Sequence, residues 1–228
     1  MTSGTFYIGS PENEAGRTNS EGPRQQVTVK SFFIAKYLLT QAQYQSIIMG
    51  NNPAHFKGDN RPVERVSWDD AVTFCQKLSE NTGKNYKLPS ETQWEYTCRA
   101  GTTAPFYFGQ SITPNLVNYD GNYSYAAAQK GEYRQQTTDV GTFPPNAFGL
   151  YDMHGNVWEW CEDDWEENYI NAPTNGDALI NPVGEFKVLR GGAWLYFAGC
   201  CRCSMRNQDL HNARHHYYGF RVLLCSEK

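Results

Sequence analysis

A chain of 228 residues with a net charge of −4 and only 19% charged side chains is long enough for one large domain or two small ones, and it can bury a core without a disulfide framework. Its 14% aromatic content excludes disorder, and its mildly acidic balance argues against a nucleic-acid surface, which needs a Lys/Arg stripe to displace counterions. No run approaches the roughly 18 apolar residues of a membrane span, and the opening MTSGTFYIGSPENEAGR lacks the basic and apolar blocks of a signal peptide; we expect a soluble, cytoplasmic protein with neither nucleic acid nor membrane as partner.

Three short helices are predicted, all in the first half. Thr40 with Gln43, Ser67 with Asp70 and Ser90 with Gln93 have the capping-box spacing, in which side chain and backbone satisfy each other across three residues. After Ser67, the residues Ala71, Phe74, Cys75 and Leu78 recur on one helical face. The third helix is expected from Glu91 to about Ala100, with Gly101 as a left-handed cap.

Beyond Gly101 the chain is rich in Gly, Asn, Pro and aromatics, with strand-like runs only at Lys187–Leu189 and Gly219–Leu224. A half this irregular must be held by packed aromatics, by side chains bonded to backbone, or by a metal. With no internal repeat and no linker, the expectation is a single α+β domain spanning residues 1–228.

Six motifs then arrive in a fixed order: Phe33-Ile34-Ala35-Lys36 leading to Thr40-Gln41-Ala42-Gln43-Tyr44; Arg61-Pro62-Val63-Glu64 with Val66-Ser67-Trp68; Leu88-Pro89-Ser90-Glu91-Thr92-Gln93-Trp94-Glu95-Tyr96; residues 146–160, centred on Gly155-Asn156-Val157-Trp158-Glu159-Trp160; Arg190-Gly191-Gly192-Ala193-Trp194; and Gly219-Phe220-Arg221-Val222. From about Phe6 to Val222 the chain resembles the formylglycine-generating enzyme (sulfatase-modifying factor) family. That resemblance implies a variant of the C-type lectin fold: irregular, with short helices and a small antiparallel sheet.

The family's enzymes oxidise a sulfatase cysteine with two active-site cysteines that bind copper(I), a soft ion suited to thiolates. The first of that pair corresponds to Tyr196, and a phenol is neither a soft ligand nor a thiol redox partner. Cys200 or Cys201 falls near the second. The seven cysteines divide into Cys75, Cys98 and Cys161 as packing residues, Cys225 near the end, and the cluster Cys200, Cys201 and Cys203. That cluster reads either as half-buried thiols or as part of a metal set completed by Cys225 or a histidine. His154 reads as structural and His55 as a loop residue, so no catalytic residue and no catalytic cofactor are expected.

Residues Leu195–Tyr218, LYFAGCCRCSMRNQDLHNARHHYY, lie between two intact framework motifs and show neither strand nor helix pattern. Freely replacing the adenines of an asparagine codon yields Tyr, His, Phe, Leu, Cys, Ser, Gly, Ala, Arg and Asp but never Gln, Lys, Glu, Met or Trp; only Met205 and Gln208 of this segment fall outside that set. The segment resembles the variable region of diversity-generating retroelement variable proteins, whose bacterial members use this lectin-like fold, with residues 190–222 as the C-terminal variable region. The resemblance implies diversified, ligand-contacting positions at Leu195, Tyr196, Phe197, Gly199, Cys200, Met205, Asn207, Ala213, His215, His216 and Tyr217, and scaffold positions at Trp194, Cys201, Arg202, Arg206 and Arg214. It implies a protein or other macromolecular ligand, bound by exposed aromatics; at least half of Tyr196, Phe197, Tyr217 and Tyr218 are expected at the surface. The alternative function is a divergent oxidase of a peptide cysteine.

The family resemblance also places a structural calcium loop at Asp152, Gly155, Val157 and Glu159, two carboxylates and two carbonyls that together form a hard oxygen set. The same groups could instead brace the loop through backbone N–H groups.

Overall fold

All three capping boxes form in the computed structural model, which describes residues 1–50 and 52–225. Helix α1 spans Gln41–Ile48 behind Thr40, α2 Trp68–Thr82 behind Ser67, and α3 Glu91–Arg99 behind Ser90, each with reciprocal bonds between the cap and the third helical residue. Helix α2 buries Ala71, Phe74 and Cys75 and leaves Leu78 half-buried. Helix α3 ends one residue earlier than expected: Ala100 takes the left-handed position at φ 44°, and Gly101 follows at φ 92°. Ser90 has a second task, donating its hydroxyl to Gly176 O at 2.8 Å. Ser90→Ala should therefore cost about 1–2 kcal/mol, read as a fall in the urea midpoint without a change in slope.

Among the described residues, nine short strands build three sheets. Strands β1 (Gly4–Ile8) and β2 (Gln25–Val29) pair antiparallel. Strand β9 (Leu223–Leu224) sits between β3 (Phe33–Ile34) and β4 (Tyr86–Lys87). The largest sheet has the order β7-β6-β5-β8, from Arg206–Leu210, Phe186–Arg190, Trp158–Asp164 and Tyr218–Gly219. Its β5–β8 pair is parallel, with Trp158 beside Tyr218. The run Gly219–Leu224 is thus two strands in two sheets, because Phe220 and Arg221 turn inward as buried side chains between them. Strand β7 corrects the expectation that Leu195–Tyr218 has no regular element.

No helix or strand interrupts residues 100–157. Two buried asparagines organise that stretch. The carbonyl oxygen of Asn146 accepts from Phe148 N and Leu150 N while its amide donates to Thr97 O. Asn156 exchanges bonds with Thr138 N and Thr138 O. Trp94 of α3 shares a buried cluster with Leu150, Met153 and Val188, while Trp158 and Trp160 of the large sheet share one with Phe74, Leu88 and Phe220; all three tryptophans are fully buried.

Arginine is buried alongside them. Arg190 pairs with Glu95 and Glu91, Arg202 with Glu14 and Glu21, Arg206 with Glu91, and Arg221 with Glu159. Burial alone would raise the carboxyls of Glu21 and Glu91, but the arginines beside them hold both below the usual range. Three other carboxyls go the opposite way, among them Asp152, which burial pushes up to about 6. Burial pushes Glu64 up to about 7, against a hydrogen bond from Phe56 N, and its Oε2 has no partner; burial and the charge of Glu91 raise Asp163. The raised carboxyls contribute stability that is present at low pH and lost as pH rises through about 6 for Asp152 and about 7 for Glu64 and Asp163. The lowered groups contribute stability that is lost as pH falls through their folded values. Thermal stability should therefore peak near about pH 5, and Glu64→Gln should flatten the decline toward neutral pH in a melting series; a decline unchanged by that substitution would contradict this account.

Candidate ligand-binding face

Residues Leu195–Tyr218 are anchored from inside by their arginines. Arg202 is fully buried, reaching both oxygens of Glu21 at 2.7 Å, Glu14 at 2.7 Å and Gly16 O at 2.7 Å. Arg206 forks onto Glu91 at 2.7 and 2.9 Å and stacks on Trp165 and Tyr169. Trp194 and Cys201 are buried as well, so four of the five expected scaffold positions are internal. Arg214 is the exception: it is exposed, and it fixes the turn after β7 by holding both oxygens of Asp70 at the start of α2.

Outward of these anchors the side chains form one aromatic cluster. Tyr196 meets Trp158 edge-on at 5.6 Å and Tyr217 at 5.6 Å. Tyr217 stacks on His215 at 5.0 Å and turns its edge to His216 at 5.1 Å. His216 lies 5.5 Å from Trp194. Along the chain before and through β7, the two-residue period places Met205, Asn207 and Asp209 on the side opposite Arg206. Asp209 accepts from Tyr218 Oη at 2.8 Å and lies 3.5 Å from His215 Nε2. Tyr196, Met205, Ala213 and Tyr217 are half-buried over a floor that includes Trp158, Trp160, Cys200 and Tyr218.

The structure thus brings together Tyr196, Met205, Asn207, Ala213, His215, His216 and Tyr217. Leu195 is half-buried beside them, and Phe197 is 52% exposed. Gly199 and Cys200 are buried, which corrects their expected place at the surface: they belong to a 3-10 turn, Ala198–Cys201, packed under the segment. A Cβ at Gly199 would stand 2.8 Å from the Phe197 ring. Of the four aromatics, Phe197 is exposed, Tyr196 and Tyr217 are partly covered, and Tyr218 is buried.

Three contributors lie outside the segment. Phe56 meets the Trp194 ring edge-on at 5.4 Å, His55 approaches His216 at 5.7 Å, and Tyr133 stacks on Trp194 at 6.1 Å. His55 is more than a loop residue, since it completes this rim. Burial and the charges of His55, His215 and Arg65 lower the pKa of His216, favouring the neutral ring at neutral pH.

The thiols of the 3-10 turn are buried. Burial pushes Cys200 up to about 11, with Arg202 opposing only in part, and raises Cys201 well above the ordinary thiol value. Both are protonated at neutral pH, and thiolate is the form that binds metal. Among the described residues, the cysteines do not gather as the sequence cluster implied; Cys203 instead meets Cys98 and His154.

The expected calcium loop is also drawn differently. Both oxygens of Glu159 accept from Arg221, at 2.5 and 2.9 Å. Gly155 N donates to Gly191 O, and Val157 is buried. Asp152 Oδ2 accepts from Gly141 N, while Oδ1 is buried without a partner. A cation would have to share Glu159 with a guanidinium, which repels it. In this arrangement Glu159 braces the Gly219-Phe220-Arg221 motif.

The model of the sulfatase-modifying factor enzyme 1-like domain matches residues 1–225. Formylglycine-generating enzyme of Mus musculus is 27% identical over 97% of this chain and 73% of its own length. The solved structure of PvdO from Pseudomonas aeruginosa is 33% identical, with a TM-score of 0.88 over 99% of this chain and 93% of that one. Treponema denticola variable protein 1 is 24% identical, with a TM-score of 0.82 over 99% and 94% of the two chains; at that identity the likeness shows the fold.

Proposed function

Because the chain belongs to the sulfatase-modifying factor enzyme 1-like domain family and has its C-type lectin variant fold, we propose that it is a non-enzymatic member of that family. Specifically, it is the variable protein of a diversity-generating retroelement, presenting diversified residues on a fixed scaffold to bind a protein or other macromolecular ligand. One observation carries the reading. Within Leu195–Tyr218 the buried residues are held by carboxylates and core contacts, while the residues expected to vary, apart from Gly199 and Cys200, stand half or fully open above them. A surface can change its side chains freely when the forces that hold its backbone come from behind it.

Two further features support this reading over the oxidase. Tyr196 stands where the enzymes have the first cysteine, and Cys200 is a buried thiol with a raised pKa. Aromatic side chains with few rotatable bonds supply contact area at low entropic cost, which fits the cluster of Tyr196, Tyr217 and Trp194.

The test is a library in which codons for Tyr196, Asn207, Ala213, His215, His216 and Tyr217 are randomised together. Most members should fold, and selection on an immobilised protein target should return binders. A parallel library at Arg202 and Arg206 should yield few folded members. Turnover of a cysteine peptide with copper, abolished by Cys200→Ser, would sink the proposal. So would a genome lacking a near-copy of the last codons, with adenines at the diversified positions, beside a reverse transcriptase.

A further inference from the structure

The loop that carries Tyr133 to the rim runs on into a cleft that the proposed binding role does not use. Its lining includes Arg61, Glu132, Arg134, Thr138, Asp139 and Thr142, around a volume of about 360 Å³, which falls within the roughly 300–1,000 Å³ of small-molecule sites. No residue of Leu195–Tyr218 lines it, so the cleft is separate from the face that segment builds and does not depend on its role. We propose that the cleft binds a small oxyanion, a phosphate or carboxylate group, held between the guanidinium groups of Arg61 and Arg134 and the hydroxyl of Thr138.

Two buried donors of these residues have nothing to donate to. Arg134 pairs with Glu132 through Nη2 at 2.9 Å, and the Phe143 ring covers the guanidinium at 5.2 Å from its centroid. Its other amino group, Nη1, is buried without a partner. Thr138 exchanges backbone bonds with the side chain of Asn156, at 3.0 Å from its N–H and 3.2 Å to its carbonyl. That fixes the residue in place, yet its Oγ1 is also buried without a partner. Leaving a buried donor unpaired is costly, and a cationic one more so, so each of these two calls for an acceptor.

Arg61 brings the second cation. Its Nη1 donates to Thr137 O and, at 3.3 Å, to Thr137 Oγ1, which holds the guanidinium against the same loop. A guanidinium fork matches the paired oxygens of carboxylate and phosphate. Two carboxylates, Glu132 and Asp139, also line the cleft, and both are exposed. They do not make it a cation site, because two arginines would repel the ion. Glu132 is already matched by Arg134. Asp139 is the group that opposes an anion, so removing its charge should strengthen binding.

The full chain should be titrated with inorganic phosphate and, in a parallel arm, with acetate, at an ionic strength held constant with sodium chloride. Calorimetry should show saturable one-to-one binding of at least one anion, with a raised thermal midpoint, and the stronger arm tells phosphate from carboxylate. Arg134→Gln should weaken that binding about ten-fold or more, and Asp139→Asn should tighten it about two-fold. Failure of both anions to saturate, or an unchanged affinity in Arg134→Gln, would overturn the proposal. Where Arg134→Gln does not fold, the wild type decides: the bound anion must shift the NMR signals of the Arg134 guanidinium and the Thr138 amide, and shifts confined to other residues would overturn the site.

Discussion

Replacing Arg202 with methionine should cost about 3–5 kcal/mol, the usual penalty for removing one partner from a buried ion pair. Methionine roughly matches the aliphatic stem but leaves Glu21, itself 0% exposed, facing the gap with no cation. Glu14, also paired with Arg202, and Gly16 O lose their donor in the same change. Equilibrium unfolding in urea would show the loss as a lower midpoint. Adding Glu21→Gln to the variant should recover part of it, because the stranded charge goes with the partner, and a double-mutant cycle measures that coupling. A loss below about 1 kcal/mol would mean that Arg202 does not anchor the segment.

The second large effect is on binding. Tyr217 is the centre of the outer cluster, touching Tyr196, His215, His216 and Tyr218. In a binder selected on this face with Tyr217 retained, Tyr217→Ala should raise Kd about 30-fold or more, the mark of a central aromatic anchor. Its stability cost should stay near about 1–2 kcal/mol, well under that of Arg202→Met. Titration calorimetry and a urea melt on the same variant separate the two quantities. If affinity holds while stability collapses, Tyr217 belongs to the core and the face lies elsewhere.

The contrast between these residues explains what was readable in advance. The three helices announced themselves because a capping box is local: Ser90 and Gln93 are three residues apart, and their bonds need nothing else. Strand β7 did not, because its buried position is Arg206, whose burial depends on Glu91 across 115 residues; no alternation of apolar and polar residues can record that. That Leu195–Tyr218 stands apart from its flanking motifs was legible from its composition. Which of its members point inward was not, and Gly199 and Cys200 were misplaced for that reason. Phe56, His55 and Tyr133 reach the rim from distant loops with no motif of their own. The link between Cys98, His154 and Cys203 is of the same kind: each residue is unremarkable in its own stretch, and only the fold sets them side by side.

The buried ion pairs also constrain the order in which this protein can be made. Glu14, Glu21 and Glu91 leave the ribosome long before Arg190, Arg202 and Arg206, with 181 residues separating Glu21 from Arg202. Until the last part of the chain emerges, those carboxylates have no cation to meet and must stay in water, since an unpaired buried charge is too costly to tolerate. The nascent chain can form its capped helices, but the domain closes only when Leu195–Tyr218 arrives with its arginines. Any substitution in the segment is thereby screened when the segment emerges: a chain that keeps its arginines completes the fold, and one that loses them stays open to proteases.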